Sequence, residues 1–395
     1  MRQILRNERR VGLFNRKALI IAGELSGEIH ALHLVNAINT VLPLQWSAIG
    51  SERLRAAGVD ILYDYREISV TGLSEVLPKM GQIWRAYRRL KQYLVESRPS
   101  LIILVDFPGF NLRVARMAKK QGIPIVYFIP PQVWAWRATR INQIKRDVGL
   151  VISILPFEKA LYDQYGIPSV YVGHPFMATL RPGRSRNVFV EESGLREKWP
   201  IITIMPGSRE NEIAKHMPVL LRIIGRLRQS LAQMAVILPV AETISREIFE
   251  PFVREDPEIH LLEGASSDAL ASSDIALVAS GSATLEAAIL NCPTIVIYKI
   301  SPFSFFVAKH LVKVGYISLP NLIAGREIFP EYIQDLDPES IAERALHVLN
   351  NEIERMKNDM EEVRRKLGRS DSYGLARDAV IQFLEGIYGP LSATS

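Results

Sequence analysis

Cysteine is nearly absent: Cys292 is alone among 395 residues. That excludes an intramolecular disulfide and any cysteine-rich metal site, and it agrees with a reducing compartment. Long apolar runs are missing too. None approaches the roughly 18 to 20 residues that cross a bilayer, so no membrane-spanning helix is expected. The basic stretch MRQILRNERR precedes the apolar ALIIAG, but Glu24 and Glu28 interrupt it and no small-residue cleavage site follows. A cytoplasmic chain without a secretory leader is the expectation. The 7 histidines form no HxH or HxxxH pair. The single Asp-x-Asp, Asp335-Leu336-Asp337, opens DPES, which reads as an N-cap aspartate followed by Pro338 at the first helical position. No metal and no cofactor are therefore expected.

What is present is a globular composition, 48% hydrophobic and 23% charged, in a chain long enough for two domains. Short β-branched runs alternate with helical patterns, the signature of parallel sheets covered by helices on both faces. The first series is ALIIAG, QWSAIG, SLIILVDF, PIVYFIP, LVISILP and SVYVGH. The second is IITIMP, AVILPV, IHLLEG, DIALVAS and TIVIYK. Between them, residues 181–199 are rich in turn formers and charge and read as the linker. The expected organisation is α/β: a doubly wound, Rossmann-like domain over residues 1–183, a second over 184–355, and C-terminal helices over 356–395. A ligand-binding crevice is expected where strand C-terminal ends meet. Charge is uneven. Residues 1–183 hold 25 Lys+Arg against 13 Asp+Glu, and the remainder 23 against 29, so an anionic partner is sought on the first half. No nucleic-acid motif accompanies the basic residues, which leaves a membrane surface as the expected partner rather than nucleic acid.

Four strand-to-helix junctions carry candidate chemistry. In ASGSATLEAA a buried strand ends at Ser280-Gly281, and Ala283, Thr284 and Glu286 follow at the start of a helix. Two readings fit: a polar ligand held by amides and hydroxyls with Glu286 on a sugar hydroxyl, or a plain capped turn. MPGSRENEI, residues 205–213, places Gly207, Ser208 and the forked guanidinium of Arg209 at another helix start, suited to a diphosphate. It lacks the Lys-Ser/Thr of a P-loop. AGELSGE offers Glu24, Ser26 and Gly27 toward an acceptor, without the GxGxxG of a dinucleotide fold. LIILVDFPGFN ends an apolar strand on Asp106, where a carboxylate serves as a general base or as a turn residue. Residues 71–98 read as a basic amphipathic helix, fit either for a membrane interface or for packing on its own sheet. Trp134 and Trp136 divide between core and ligand roles, and the apolar run at 302–314, with Lys309, His310 and Lys313, reads as core.

Taken in order, AGELSGE, VTGLSEVLP, LVDFPGFN, VWAWR, LPFEKALYDQYGIP, GHPF, MPGSRENEI, ASGSATLEAA and SLPNLIAGRE resemble the lipid-A-disaccharide synthase family over residues 18–385. That resemblance implies an inverting glycosyltransferase of the GT-B fold, metal-independent. Its members join UDP-2,3-diacylglucosamine to 2,3-diacylglucosamine 1-phosphate through a β-1,6 linkage and release UDP. It implies Asp106 as the base for the acceptor 6-hydroxyl and Arg209 near the diphosphate. Ser280, Gly281, Ala283, Thr284 and Glu286 would form the nucleotide loop, and Asn321, Arg326 and Glu327 would stand near the donor. It further implies C-terminal helices that return to the first domain, peripheral attachment to the inner membrane and a homodimer by C-terminal exchange. The chain departs from the family pattern at Glu28, Gly109 and Pro130-Pro131-Gln132, all on the acceptor side. Competing expectations are a UDP-N-acetylglucosamine 2-epimerase, transfer to a different lipid acceptor, and a binding protein without turnover.

Overall fold

A computed structural model describes residues 14–69, 73–133, 138–241, 244–299, 315–368 and 371–391. The chain forms two compact units, residues 1–175 with 369–395, and residues 176–368. Trp134, Trp136 and the run at 302–314 lie outside the described residues.

The first unit holds strands β1 Lys17–Ala22, β2 Gln45–Gly50, β3 Asp60–Asp64, β4 Leu101–Val105, β5 Ile125–Phe128, β6 Leu150–Ser153 and β7 Ser169–Tyr171. Their order is β3-β2-β1-β4-β5-β6-β7, every pairing parallel. Helices α1 Leu25–Asn39, α2 Glu52–Ala56, α3 Leu73–Ser97, α4 Pro108–Lys120, α5 Ala138–Asp147 and α6 Pro156–Gln164 connect them. Strands β4 and β5 are buried at every residue. This is why they read as unbroken apolar runs rather than alternating ones: a parallel sheet is covered on both faces.

The second unit begins with α7 Phe176–Thr179 and α8 Arg186–Glu192. Its strands are β8 Ile201–Met205, β9 Ala235–Val240, β10 Ile259–Glu263, β11 Ile275–Ala279, β12 Thr294–Tyr298 and β13 Glu331–Ile333, in the parallel order β10-β9-β8-β11-β12-β13. Its further helices are α9 Glu210–Ser230, α10 Glu250–Glu255, α11 Ser266–Ser272, α12 Ser282–Ile289, α13 Leu319–Ala324, α14 Pro338–Asn351 and α15 Ile353–Leu367. Asp337 caps α14 by accepting from Ser340 N at 2.9 Å, with Pro338 in the first turn.

Both expected boundaries shift. The stretch read as a linker is anchored inside the second unit, because Asp268 on α11 accepts from Gly183 N at 2.6 Å and Arg184 N at 3.0 Å and pairs with the Arg184 guanidinium at 2.8 Å. The change of unit falls at Pro175, within GHPF. Helix α15 also stays with the second unit, packed on α12 and α13. Only the last helix, α16 Ser372–Tyr388, returns to the first, against α1 and β6. There Tyr373 stacks on His33 at 4.8 Å and its hydroxyl meets His30 Nδ1 at 2.9 Å. Phe383 fills the space above Gly149, where a Cβ would lie 2.6 Å from its ring. Tyr388 donates to the Ser100 carbonyl at 3.1 Å.

Candidate functional site

Each sheet reverses its winding once, between β1 and β4 in the first unit and between β8 and β11 in the second. Such switch points are where open α/β sheets take ligands. The strongest sequence candidates follow those strands.

In the first unit β1 pairs with β4 up to Ala22↔Val105, so the segments beginning at Gly23 and Asp106 leave the sheet side by side. Asp106 and Phe107 both have left-handed backbones, with φ of 42° and 46°. Such conformations in non-glycine residues cost on the order of 1 to 3 kcal/mol each and need surrounding support. Here Asn111 Nδ2 donates to the carbonyls of Val105 at 3.1 Å and Asp106 at 2.8 Å, and the buried Tyr127 hydroxyl donates to Asp106 O at 2.7 Å. Gly23 permits the turn, since a Cβ there would lie 2.0 Å from Phe107 Cγ. The Asp106 side chain lines a recess of about 450 Å³ with Pro108, Ile129, Pro130, Pro131, Gln132, Val133 and Arg140. Burial, and then the charge of Glu24, push its pKa up to about 6, against the Phe107 N–H and Arg140. A carboxylate that titrates close to neutral pH, beside a cavity, is suited to accepting a proton.

Glu24 is exposed and accepts from the Ser26 hydroxyl at 2.7 Å. Gly27 is buried where α1 meets Ala22 and Val105, with ordinary contact distances for a Cβ, so close packing does not demand a glycine there. Glu28 is fully buried and accepts from the Ser51 amide at 2.5 Å and hydroxyl at 2.6 Å. It pins the turn into α2. Gly109 is exposed and opens onto free space. Residue reasoning did not find the supports Asn111 and Tyr127. The only signal for Arg140 was its place in the Trp-Arg run.

In the second unit β8 pairs with β11, and β11 with β12. The loop after β8 carries Gly207 at φ 123°, where a Cβ would lie 2.5 Å from the Glu212 carboxylate. Glu212 accepts from Ser208 N and from Arg209 Nη1, each at 3.2 Å. The Arg209 guanidinium is otherwise exposed at the start of α9. His216, one further turn along, is buried. Lys299 N donates to its Nε2 at 2.9 Å, so the proton is on Nδ1, which donates to the Pro206 carbonyl at 2.6 Å. Burial lowers its pKa. A neutral imidazole thus ties the ends of β8 and β12 together, a role that its sequence position did not reveal.

After β11, the Ser280 hydroxyl donates to Ile317 O at 3.3 Å, and Gly281 leaves open space where a side chain would stand. Thr284 is buried and donates to Gly281 O at 2.7 Å, so its hydroxyl shapes the turn instead of facing a ligand. Ala283 and Glu286 are half-buried. Burial raises the Glu286 pKa, and no described side chain pairs with the carboxylate. Asn321, expected near the donor, is fully buried and spent on the chain. Its Nδ2 donates to Phe329 O and Glu331 Oε1 at 2.8 Å, and its Oδ1 accepts from Ile328 N at 2.8 Å and Phe329 N at 2.9 Å. Arg326 pairs with Asp359 at 2.9 Å and Glu362 at 2.6 Å on α15, and Glu327 is exposed. The second unit therefore gathers Arg209, Ser280, Gly281, Ala283 and Glu286 around adjacent strand ends and gives Thr284, Asn321 and Arg326 structural work. Among the described residues no three His, Cys, Asp or Glu side chains are grouped to hold a metal ion.

Solved structures share this architecture. The S. aureus MnaA–UDP co-structure matches with a TM-score of 0.65 at 16% identity, covering 96% of this chain and all 100% of that one. The Methanocaldococcus jannaschii UDP-GlcNAc 2-epimerase in complex with UDP-GlcNAc and UDP matches at 0.59 and 14%, over 92% and 99%. At such identities the likeness carries the fold alone, the GT-B type. Sequence relatives go further. The lipid-A-disaccharide synthases of Solibacter usitatus and Nitrosococcus oceani are 38% and 37% identical, over 94% and 93% of this chain and 98% and 96% of their own. A family model described as lipid-A-disaccharide synthetase matches residues 18–382. With that coverage, and with Asp106 and Arg209 at the switch points of two doubly wound units, the chain belongs to the lipid-A-disaccharide synthase family.

Proposed function

We propose that this glycosyltransferase moves 2,3-diacylglucosamine from UDP to the 6-hydroxyl of 2,3-diacylglucosamine 1-phosphate, with inversion, and releases UDP. The observation that carries the role of Asp106 is its buried carboxyl, lifted to about 6 beside an open recess. As a carboxylate it takes the proton of the acceptor hydroxyl while that oxygen bonds to the anomeric carbon and the bond to the UDP oxygen breaks. Arg140, on the wall of the same recess, supplies positive charge for an acceptor phosphate. In the second unit, the start of α9 and the Arg209 fork suit the diphosphate that gains charge as it leaves, with Glu212 as the group the phosphates displace. Glu286, with which no described side chain pairs, suits the ribose hydroxyls. The donor is thus a UDP-sugar and the acceptor a lipid phosphate. The chain works without a metal or cofactor in this reading.

Attachment to the inner membrane surface is peripheral in this reading, supported by the basic first half; among the described residues no helix is long and apolar enough to cross a bilayer. A homodimer by exchange of α16 would bury the same contacts in a second copy. Mass spectrometry of products from UDP-2,3-diacylglucosamine and its 1-phosphate acceptor tests the reaction. A disaccharide phosphate with stoichiometric UDP supports it. An epimerised UDP-N-acetylglucosamine, or UDP binding without turnover, would replace it with one of the competing readings.

A further inference from the structure

His216 has no exposed surface, yet it joins two of the segments that leave the sheet of the second unit on the donor side. Its Nδ1 donates to the carbonyl of Pro206, the residue directly after β8, and its Nε2 accepts from the amide of Lys299, the residue directly after β12. In the sheet, β11 lies between those two strands. The end of β11 is tied in as well, because Ser280 N donates to Ile297 O of β12 at 3.1 Å. The imidazole therefore braces the strand ends on either side of the one that carries Ser280 and Gly281. Both of its bonds require a neutral ring, with one nitrogen donating and the other accepting; a second ring proton would face the Lys299 N–H. Burial keeps it neutral, against the Pro206 carbonyl and Glu212, which favour the proton.

Pro206 opens the loop that carries Gly207, Ser208 and Arg209. Gly207, at φ 123°, gives that loop a freedom that binding must otherwise remove. Among the described residues, side chains hold residues 206–209 only through Glu212 and His216. Glu212 holds Ser208 N and the Arg209 guanidinium, the donors that an incoming diphosphate takes over. His216 instead donates to a carbonyl, on which a phosphate oxygen has no claim. We propose that His216 is a positioning residue for the donor: it keeps the loop at 207–209 in shape once the diphosphate of the UDP-sugar has displaced Glu212. The inference rests on the donor reading above and adds to it the group that holds the loop.

Calorimetric titration of the full chain with UDP, together with steady-state kinetics in both substrates, tests this. His216→Leu removes both bonds. The amide of His216→Asn reaches the place of Nδ1 and that of His216→Gln the place of Nε2, so the first variant retains the link to Pro206 and the second the link to Lys299. His216→Leu is expected to weaken UDP binding and raise the donor KM roughly tenfold, about what one hydrogen bond supplies, with the acceptor KM unchanged. His216→Asn should recover most of that loss and His216→Gln little of it. The comparison of these two decides the matter where His216→Leu does not fold. Equal losses in the Asn and Gln variants, or a rise of both KM values together, mark a role in stability alone and overturn the proposal. Arg209→Gln is titrated alongside. Loss of UDP affinity there without loss in His216→Gln refutes the inference and leaves the donor reading standing; the parent's affinity in both refutes the donor reading at this loop.

Discussion

Asp106 titrates near neutral pH because its strand end buries it and Glu24 repels it. A base is active when deprotonated, so kcat/KM is expected to rise with pH through about 6 and level off above, measured as a pH–rate profile. Glu24→Gln removes a charge that raises the pKa, so the limb should move to lower pH. Asp106→Asn keeps the shape without the base: turnover should fall by ~10² or more, while calorimetry finds UDP binding intact. Equal turnover would remove Asp106 from the mechanism. Gly23→Ala acts on the same carboxylate indirectly, because its Cβ would meet the Phe107 ring at 2.0 Å. The sequence made Asp106, Arg209 and Glu286 visible because each follows an apolar run that could only be a buried strand. It could not show that Thr284 and Asn321 face inward. Whether a hydroxyl or an amide meets solvent or a carbonyl depends on residues brought in from elsewhere, such as Phe329 and Glu331 for Asn321.

At the scale of elements, the loop that enters α13 is held by one carboxylate and one amide. Glu331 on β13 accepts from Ile317 N and Ser318 N at 2.9 Å and from the Ser318 hydroxyl at 2.7 Å. Asn321 ties it to the turn at Ile328 and Phe329. Asn321→Ala leaves those buried amides without partners, at about 1 to 3 kcal/mol for each unsatisfied group. A fall in melting temperature of roughly 5 to 10 °C is expected for a unit of this size. An unchanged melting curve would count against the clamp. The interior strands and the edge strands β7 and β10 were readable in the sequence, whereas β3 and β13 were not. DILYD and EYI are bounded by the acidic residues Asp60, Asp64 and Glu331, which leave short apolar runs within them. The boundary at 181–199 misled for a related reason: turn formers mark a loop, and only the contact with Asp268 shows which unit that loop serves.

On the scale of the whole molecule, α16 is docked in part on His30, which the fold keeps neutral. Burial first, then a neighbouring histidine, lower His30 from 6.5 to about 4 and His174 to about 3. Below 6.5 the unfolded chain takes up protons that the folded one refuses. This contribution to stability is whole above that value and is lost as pH falls toward 4 and then 3. Denaturant midpoints measured above and below the window should converge less steeply in His30→Gln than in the parent; parallel curves would exclude His30 as a source. The helix also imposes an order on biosynthesis. Its seat on α1 and β6 stays uncovered until residues 372–388 have left the ribosome, after the whole second unit has been made. A nascent first unit must therefore wait, incomplete, through the synthesis of nearly two hundred intervening residues, 176–368. During that interval the faces of α1 and β6 that this helix will cover stay open to solvent.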